Sequence, residues 1–353
     1  MQVYRIAAAA GLGVVLLMHS APAEAQYRLT TRATNQLSLL GPTIDPLLAN
    51  PWGLARTAGS PWWVADEDTG WSTLYNAGGT QIPLRVVIPT AGNGPVEAAG
   101  GNGPGTPTGI VSNASKTDFQ VSGVSSPFIF ATLDGTISAW PGLNKNLATL
   151  VVDNSASKAS YTGLAITSNK SGNWLYAADN ANNKIDMFDG NFNWVKSFGD
   201  PSAPPNFSVF GIQDIDGMVY VTYAVPNIGA GGLVDIFKED GTFVKTLIQG
   251  TILNQAWGIA AAPGNFGPLS NTLLISNNSV SGTINGFDPV TGKFVGTIRD
   301  DNGKPIILNN LWGIAFGGGT QNNGPTNELF VTVGQGIGLS SLGGTFASIV
   351  YKP

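Results

Sequence analysis

The sequence contains no cysteine, and its only histidine is His19, close to the N-terminus. The absence of thiols excludes disulfide bonds, cysteine nucleophiles and thiolate metal ligands. If the N-terminal segment is removed as a leader, as argued below, imidazole is absent as well. Ser-His-Asp triads, histidine metal ligands and covalently attached haem are then also excluded. Acid–base or metal chemistry in the rest of the chain must therefore rely on carboxylates and other oxygen groups.

Charge is also scarce in this sequence. Charged residues make up 11% of the 353 positions, and the net charge is −5. A typical soluble domain has about 25% charged residues. The lysines and arginines are scattered and form no basic stripe, so we expect no nucleic-acid partner. The 47 glycines and 22 prolines indicate many turns, while a hydrophobic content of 42% allows a sizeable core.

The N-terminal segment has the pattern of a targeting signal. Arg5 supplies a positive charge, and the apolar run of 13 residues from Ile6 to Met18 is too short to span a bilayer. Ala23-Glu24-Ala25 fits a small-x-small cleavage site. The sequence therefore predicts a signal peptide over residues 1–25 and one domain over residues 26–353, rather than an uncleaved membrane anchor. We expect a secreted protein, periplasmic or extracellular, without a membrane span.

A short motif of the form x-Gly-aliphatic recurs six times, at intervals of 47 to 56 residues. Its copies are Trp52-Gly53-Leu54, Thr108-Gly109-Ile110, Thr162-Gly163-Leu164, Phe210-Gly211-Ile212, Trp257-Gly258-Ile259 and Trp312-Gly313-Ile314. Each copy is followed by a second apolar run, and several units then show a third strand that ends in an Asp-Gly or Asp-Pro turn. Six units of about four strands are typical of propeller blades. The sequence therefore predicts an all-β, six-bladed β-propeller.

The sixth unit is one strand short. After Glu328–Val333, the only further strand candidate is Gly344–Tyr351, whereas Tyr27–Leu40 has a strand pattern but no blade of its own. We expect this N-terminal strand to close the ring as the outer strand of the sixth blade, since closure protects sheet edges. Two stacked β-domains would be the alternative, but the repeats run evenly without an interdomain linker. The Gly/Pro/Asn-rich segment Ala91–Pro107 reads as a long loop.

Two stretches of the chain carry a family resemblance. Leu175–Asn180 and Lys184–Asp189 resemble an NHL-type repeat. Asn50–Ala55 and Trp63–Asp66 resemble a family of uncharacterised secreted bacterial propeller proteins, and this resemblance extends over residues 27–353. It implies a fold and an export route but no established reaction.

Gluconolactonase-like propellers look like more distant relatives. Their resemblance implies a divalent metal held in the axial channel by Glu, Asn and Asp side chains. The early glutamate of that set would fall near Asn50, where this sequence has no glutamate. The departure weakens a lactonase interpretation.

Candidate ligand-binding residues lie where the first strand of each unit begins, because this point and the turn after the second strand open on the same face of a propeller. The set consists of Trp52, Trp257, Trp312, Asn50, Asn254 and Asn310. Tryptophan faces stack on sugars or bind cations. The alternative is that the tryptophans only fill space between blades.

Candidate metal and catalytic residues lie in the turns after the second strands. Asp66, Asp68, Asp179 and Asn277 offer the oxygen ligands that Ca²⁺ prefers. The alternative is that these side chains cap their own turns, and Asp66 to Gly70 lacks the spacing of a full calcium loop. Glu67 is the glutamate expected on this face, and it is the candidate general acid or base.

Two functions are consistent with the sequence. The first is a non-catalytic, monomeric propeller that binds a small molecule, a glycan or a protein at the channel mouth. The alternative is a Ca²⁺-dependent hydrolase or lyase, lactonase-like, that uses channel carboxylates. The absence of cysteine and histidine favours the first, since fold alone implies no chemistry.

Overall fold

The computed structural model describes residues 26–36, 43–92, 104–143, 146–169, 172–225, 231–334 and 343–353. The strands of the first half are, in chain order, β1 (Gln26–Thr34), β2 (Thr43–Ile44), β3 (Pro51–Ala55), β4 (Trp62–Asp66), β5 (Trp71–Tyr75), β6 (Val86–Val87), β7 (Pro107–Ser112), β8 (Gln120–Val121), β9 (Val124–Ser125), β10 (Phe128–Thr132), β11 (Thr136–Trp140), β12 (Thr149–Asp153), β13 (Tyr161–Asn169) and β14 (Gly172–Asp179). Those of the second half are β15 (Lys184–Phe188), β16 (Trp194–Phe198), β17 (Ser208–Ile215), β18 (Met218–Ala224), β19 (Gly232–Lys238), β20 (Phe243–Gln249), β21 (Ala256–Ala261), β22 (Leu273–Asn277), β23 (Ile284–Phe287), β24 (Phe294–Thr297), β25 (Leu311–Phe316), β26 (Glu328–Val333) and β27 (Thr345–Lys352). The expected signal peptide and most of the expected loop 91–107 lie outside the described residues.

Hydrogen bonding groups the strands into six blades. Blades 1 to 5 are the four-stranded sheets β3-β4-β5-β6, β7-β10-β11-β12, β13-β14-β15-β16, β17-β18-β19-β20 and β21-β22-β23-β24. Blade 6 has the order β25-β26-β27-β1, with β2 added at its outer edge. The innermost strands β3, β7, β13, β17, β21 and β25 contact one another in a closed ring. Each of them carries one glycine motif, so the predicted all-β six-bladed propeller is confirmed.

The ring is closed by the N-terminal strand, as the sequence predicted. β1 pairs antiparallel with β27, with Tyr27 opposite Tyr351 and Leu29 opposite Ile349. The Tyr27 hydroxyl also donates a hydrogen bond of 2.7 Å to the Phe266 carbonyl oxygen in blade 5. The first and last strands of the domain are therefore direct neighbours, and blade 6 is completed from both ends of the chain.

A glycine in each inner strand lets neighbouring blades approach closely. A Cβ added to Gly53 would lie 2.6 Å from the Thr108 carbonyl oxygen, and one added to Gly258 would lie 2.6 Å from the Trp312 carbonyl oxygen. The same contact joins blade 6 back to blade 1, where a Cβ on Gly313 would meet the Leu54 side chain. Side chains are therefore excluded at this position by the neighbouring backbone.

Buried hydroxyls add hydrogen bonds between the same inner strands. In blade 5 the Ser276 hydroxyl accepts from the Gly258 N–H at 2.7 Å and donates to the Trp312 carbonyl oxygen at 2.7 Å. In blade 3 the corresponding bond to the next blade comes from the Thr162 hydroxyl, which donates to the Phe210 carbonyl oxygen at 2.7 Å. A serine of the second strand in blade 5 and a threonine of the first strand in blade 3 thus make equivalent hydrogen bonds to the next inner strand.

The core lies between adjacent blades. All five residues of β4 and all five of β10 are buried, which explains why these strands read as continuous apolar runs rather than as alternating patterns. The outer strand β16 is mostly exposed. In the described part of the chain, no helix is long and apolar enough to cross a membrane.

Candidate functional site

Four aromatic side chains fill one end of the axial channel, where the inner strands begin. We call this end the upper mouth, and we call Trp52, Trp257, Trp312 and Phe210 the aromatic plug. The rings of Trp52 and Trp312 stack with centroids 3.5 Å apart. Trp257 meets both edge-on, at 6.1 Å and 5.8 Å, and Phe210 packs 5.8 Å from Trp312. The three tryptophans are only 7–8% exposed, so their faces are largely covered by one another.

The plug fits because four consecutive blades carry large residues at this position and the two remaining blades carry small ones. Blades 4, 5, 6 and 1 carry the aromatic residues, whereas blades 2 and 3 carry Thr108 and Thr162 at the same position. The Trp257 indole N–H crosses the channel and donates to the Thr162 carbonyl oxygen at 2.8 Å. The Trp312 indole donates to the Asn50 side-chain oxygen at 3.1 Å. The buried Trp52 indole nitrogen has no hydrogen-bond partner among the described residues.

The residue two positions before each plug tryptophan has a left-handed backbone. The φ angles are 45° at Asn50, 53° at Gln255 and 50° at Asn310. Asparagine tolerates this region better than most residues. The sequence predicted Asn254 as the binding residue of blade 5, but the counterpart of Asn50 is Gln255. Counting back two residues from Trp257 would have identified it.

The Asn254 and Asn310 backbones hold the upper mouth in place. The Asn254 N–H donates to the Asn277 side-chain oxygen at 3.0 Å. The Asn310 N–H donates to the Ser279 carbonyl oxygen at 2.9 Å, and the Asn310 carbonyl accepts from Gly334 at 2.8 Å. These contacts belong to the loops that precede β21 and β25.

An acidic pair lies beside the plug at the surface. The Asn50 side-chain amide donates to the Glu67 carboxylate at 2.7 Å and approaches Asp68 at 3.5 Å. Burial raises the pKa of Glu67 to about 7; a hydrogen bond shared with Asp68 and the negative charges of Asp68 and Asp134 act in the same direction, while Asn50 opposes them. Glu67 is half-buried and Asp68 is exposed. The chain Trp312–Asn50–Glu67 thus connects the plug to a carboxyl group that solvent can reach, and that can take or give a proton near neutral pH.

Asp66 points away from the upper mouth into blade 1. Its carboxylate accepts hydrogen bonds from the Thr73 hydroxyl at 2.8 Å and the Thr73 N–H at 3.1 Å. Burial raises its pKa well above the usual range; the bonds from Thr73 oppose this, while nearby Asp45 adds to it. One Asp66 oxygen has no partner among the described residues. Burial therefore favours the neutral form of the Asp66 carboxyl group.

Asp179 and Asn277 occupy the position of Asp66 in blades 3 and 5, and each binds the loop that precedes the inner strand of its own blade. The Asp179 carboxylate accepts from the Ser160 N–H at 3.0 Å and from the Asn182 amide at 2.7 Å. The Asn277 amide donates to the Ile252 carbonyl oxygen at 2.9 Å. Across the described ranges, no group of three or more acidic side chains is arranged to hold a metal ion. The structure therefore brings Glu67, Asp68 and Asn50 together, and it leaves Asp66, Asp179 and Asn277 in separate blades.

Below the plug, the channel is narrow and apolar. One aliphatic residue from each blade lines it, namely Leu54, Ile110, Leu164, Ile212, Ile259 and Ile314. The cavity among them measures about 60 Å³. A ligand at the upper mouth therefore sits on the plug rather than inside the channel.

Six four-stranded blades around a narrow axis define the protein as a six-bladed β-propeller. Solved structures share this fold. The soluble aldose sugar dehydrogenase from Escherichia coli has a TM-score of 0.56 and 12% identity, covering 92% of this chain and 99% of that one. Virginiamycin B lyase from Staphylococcus aureus has a TM-score of 0.54 and 12% identity, covering 92% and 99%. At this identity the likeness shows the fold alone.

No protein-family model matches the chain. Uncharacterized protein R648 of Acanthamoeba polyphaga mimivirus is 31% identical over 325 residues, which cover 86% of this chain and 75% of that protein. Uncharacterized protein L690 of the same virus is 29% identical over 301 residues, covering 79% and 76%. The chain belongs to the family of these mimivirus proteins. The expected bacterial family is not supported, because these relatives are viral.

Proposed function

We propose that the protein is an exported, non-catalytic binding propeller whose ligand site is the upper mouth of the channel, beside Asn50 and Glu67. The observation that carries this proposal is the hydrogen-bonded chain from the buried Trp312 indole through Asn50 to the solvent-accessible Glu67 carboxyl group. The plug fixes one end of the chain, so the other end is held rigidly at the surface. A preorganised polar group binds a ligand at a lower entropic cost than a mobile one.

The chemistry of the upper mouth favours a ligand rich in hydrogen-bond donors, such as a glycan. Glu67 and Asp68 offer acceptor oxygens, whereas the plug tryptophans have their faces covered and so support the site from below. Ca²⁺ held by Glu67 and Asp68 together with a ligand's own oxygens would fit the same groups. Partners with strong negative charge, nucleic acid included, fit poorly.

Binding is tested with the full chain and a glycan panel, by calorimetry with and without Ca²⁺. We expect one glycan class to bind the wild type and Glu67→Gln to weaken that binding about tenfold or more, as expected for the loss of a charge-assisted bond. Asp301→Asn, at an exposed aspartate, is the matched control and should bind like the wild type. Equal binding by all three proteins, or by none, contradicts the proposal.

A carboxyl group with a pKa of about 7 also favours the second candidate, a hydrolase or lyase that uses Glu67 as general acid or base. The test is turnover of lactones and glycosides across the pH range, with and without Ca²⁺. The second candidate predicts a rate that changes near pH 7 in the wild type and is lost in Glu67→Gln. Absence of turnover in every substrate class supports binding alone.

Export is the third element of the proposal. It is supported by the sequence of residues 1–25, in which a short apolar run precedes the small-x-small site Ala23-Glu24-Ala25. Sequencing the N-terminus of protein recovered outside the expressing cytoplasm should give Gln26. Recovery of the intact chain, starting at Met1, contradicts it.

A further inference from the structure

The end of the channel opposite the plug is a separate open site, which we call the lower mouth. The inner strands end here, and each blade contributes a residue: Arg56, Ser112, Ile166, Gln213, Ala261 and Phe316. The lower mouth is lined by a mixture of apolar and polar side chains, and Arg56 is the one cationic side chain among its described lining residues.

The Arg56 guanidinium is held in a fixed position. Its Nε–H donates to the Phe316 carbonyl oxygen at 3.1 Å, and its central carbon lies 5.5 Å from the centroid of the Trp62 ring. It also packs on the backbone of Gly318, where a Cβ would collide with the guanidinium. Bonding on one edge, stacking on one face and backbone packing together restrict the rotamers of this side chain.

The charge of Arg56 is not neutralised within the described part of the chain. Its two terminal nitrogens make no hydrogen bond there, and no carboxylate forms an ion pair with it. Arg32, by contrast, pairs with Glu328 at 2.6 Å. Burial lowers the pKa of Arg56, yet arginine stays charged in proteins. A half-buried, fixed cation with two terminal nitrogens free to donate is suited to an anion.

Two adjoining cavities open on either side of Arg56. One measures about 250 Å³ and is walled by Leu54, Ile110, Ile166 and Phe316. The other measures about 360 Å³ and includes Asp214 and Asp216. Gln213, from the blade opposite Arg56, borders both. The first volume lies just below the range of about 300–1,000 Å³ for ligand pockets and the second at its lower end, so the two cavities suit a small molecule.

We propose that the lower mouth binds a small organic carboxylate with an apolar body. The carboxylate accepts hydrogen bonds from both terminal nitrogens of Arg56 in a bidentate pair. The apolar body lies along Leu54, Ile110 and Ile166. Asp214 and Asp216 in the adjoining cavity repel a dianion more strongly than a monoanion, so a monocarboxylate is preferred over phosphate. The site lies at the opposite end of the channel from Glu67, and it does not depend on the function proposed above.

The test is calorimetric titration of the full chain with octanoate, n-octanol and inorganic phosphate. We expect octanoate to bind the wild type, and the other two to bind at least about tenfold more weakly, since each lacks one half of the recognition. Arg56→Met keeps the aliphatic stem and should weaken octanoate binding about tenfold or more. Arg85→Met makes the same change at an exposed arginine outside the lower mouth and should bind like the wild type. Arg56→Lys keeps the charge without the fork and should fall between Arg56→Met and the wild type.

A second readout locates the ligand. The indole N–H signal of Trp62, assigned with Trp62→Phe, should shift on addition of octanoate, while that of Trp312 in the plug stays unchanged. Glu67→Gln should bind octanoate like the wild type, which separates this site from the upper mouth. Octanoate binding that survives Arg56→Met, phosphate binding as tight as octanoate, or no octanoate binding at all overturns the proposal. A thermal melt of each variant confirms that it is folded.

Discussion

At the scale of single residues, the three plug tryptophans are equally buried but differ in their hydrogen bonds. Trp257 and Trp312 each donate from the indole nitrogen, whereas the Trp52 nitrogen has no partner among the described residues. An unpaired buried N–H is unfavourable, while losing a paired one leaves its acceptor without a partner. The same Trp→Phe change should therefore have different consequences at these positions.

We expect Trp257→Phe to lower the free energy of unfolding by about 1–2 kcal/mol more than Trp52→Phe does. Trp257→Phe leaves the buried Thr162 carbonyl oxygen without its donor, whereas Trp52→Phe removes a nitrogen that had no acceptor. Both variants lose similar ring area, so packing effects largely cancel in the comparison. Urea unfolding followed by circular dichroism measures the difference. Equal destabilisation would show that the Trp257 bond contributes nothing.

Glu67 gives a pH-dependent prediction. Its pKa is raised from 4.5 to about 7 in the folded protein, so the folded state binds this proton more tightly than the unfolded state does. Both states are protonated below pH 4.5, where this residue has no effect on stability. From there to pH 7 the unfolded state ionises first, so stability falls as the pH rises.

In Glu67→Gln this contribution is absent, and the variant should gain stability relative to the wild type between pH 4.5 and 7. Urea unfolding at several pH values measures the difference. Asp214 and Asp235, whose pKa values burial also raises to about 6, titrate in both proteins and cancel. Asp68→Asn is a useful companion, because it removes a group that raises the pKa of Glu67 and should move the window to lower pH. A difference independent of pH contradicts the assignment.

Sequence spacing put Asn50, Glu67 and Trp312 on one face, and the structure places them in one hydrogen-bonded chain. What the sequence could not supply was the direction of the indoles. Whether a tryptophan at a channel mouth presents its face to solvent or to another ring depends on the residues across the axis, here Thr108 and Thr162. The repeat motif does show that Thr108 and Thr162 are smaller than the aromatic residues that precede the glycine in the other four copies. The sequence did not identify Arg56 as a candidate binding residue. Its proposed role depends on the lack of a nearby carboxylate partner, which only the three-dimensional structure reveals.

At the scale of strands, the glycine of each inner strand sets the distance between blades. A Cβ added to Gly258 would lie 2.6 Å from the Trp312 carbonyl oxygen and 2.7 Å from the Ser276 hydroxyl, which is closer than van der Waals contact allows. Gly59, in the loop between β3 and β4, has open space around its Cβ direction. The two positions form a matched pair for the same substitution.

We expect Gly258→Ala to destabilise the protein by about 1–3 kcal/mol, because the neighbouring strand must move to admit the methyl group. Gly59→Ala should be neutral or stabilising by up to about 1 kcal/mol, since it only restricts the unfolded chain. Thermal and urea unfolding of both variants tests this. Comparable effects at the two positions would mean that blade spacing tolerates the extra methyl group.

The six inner strands could be recognised from sequence because each of them packs so closely on the next that one position requires glycine. This glycine therefore recurs once per blade. Two small elements could not. The hairpin β8–β9 and the parallel pairing of β2 with β1 involve two residues per strand, too short for a periodic pattern. Their formation depends on the larger sheets that hold them.

At the scale of the whole molecule, closure rests on β1. Arg32 of this strand pairs with Glu328 at 2.6 Å and donates to the Ser348 hydroxyl at 2.9 Å, while Leu29 packs into the core between blades 5 and 6. Without β1, strand β27 would be an exposed edge. The sequence predicted this strand because the last repeat lacked one.

A chain that lacks residues 26–34 should therefore be less stable and prone to association through β27. Size-exclusion chromatography and thermal melting measure both effects. A synthetic peptide of residues 26–34 added in trans should restore a monomer with a higher melting temperature. The same peptide with Leu29→Asp is the control and should not. A truncated chain that stays monomeric with unchanged stability would show that the ring does not need the strand.

The partnership of β1 and β27 has a consequence for biosynthesis. A ribosome makes the first of these strands at the beginning of translation and the second at its end. At about 5–20 residues per second, β1 waits roughly 15–60 s for its partner. Blades 1 to 5 are synthesised during this interval while β1 has no partner strand, and every chain that terminates before residue 345 lacks β27. A holdase chaperone that keeps the chain unfolded until both ends have been made should raise the yield of native protein, more so than for a domain whose first and last segments never meet.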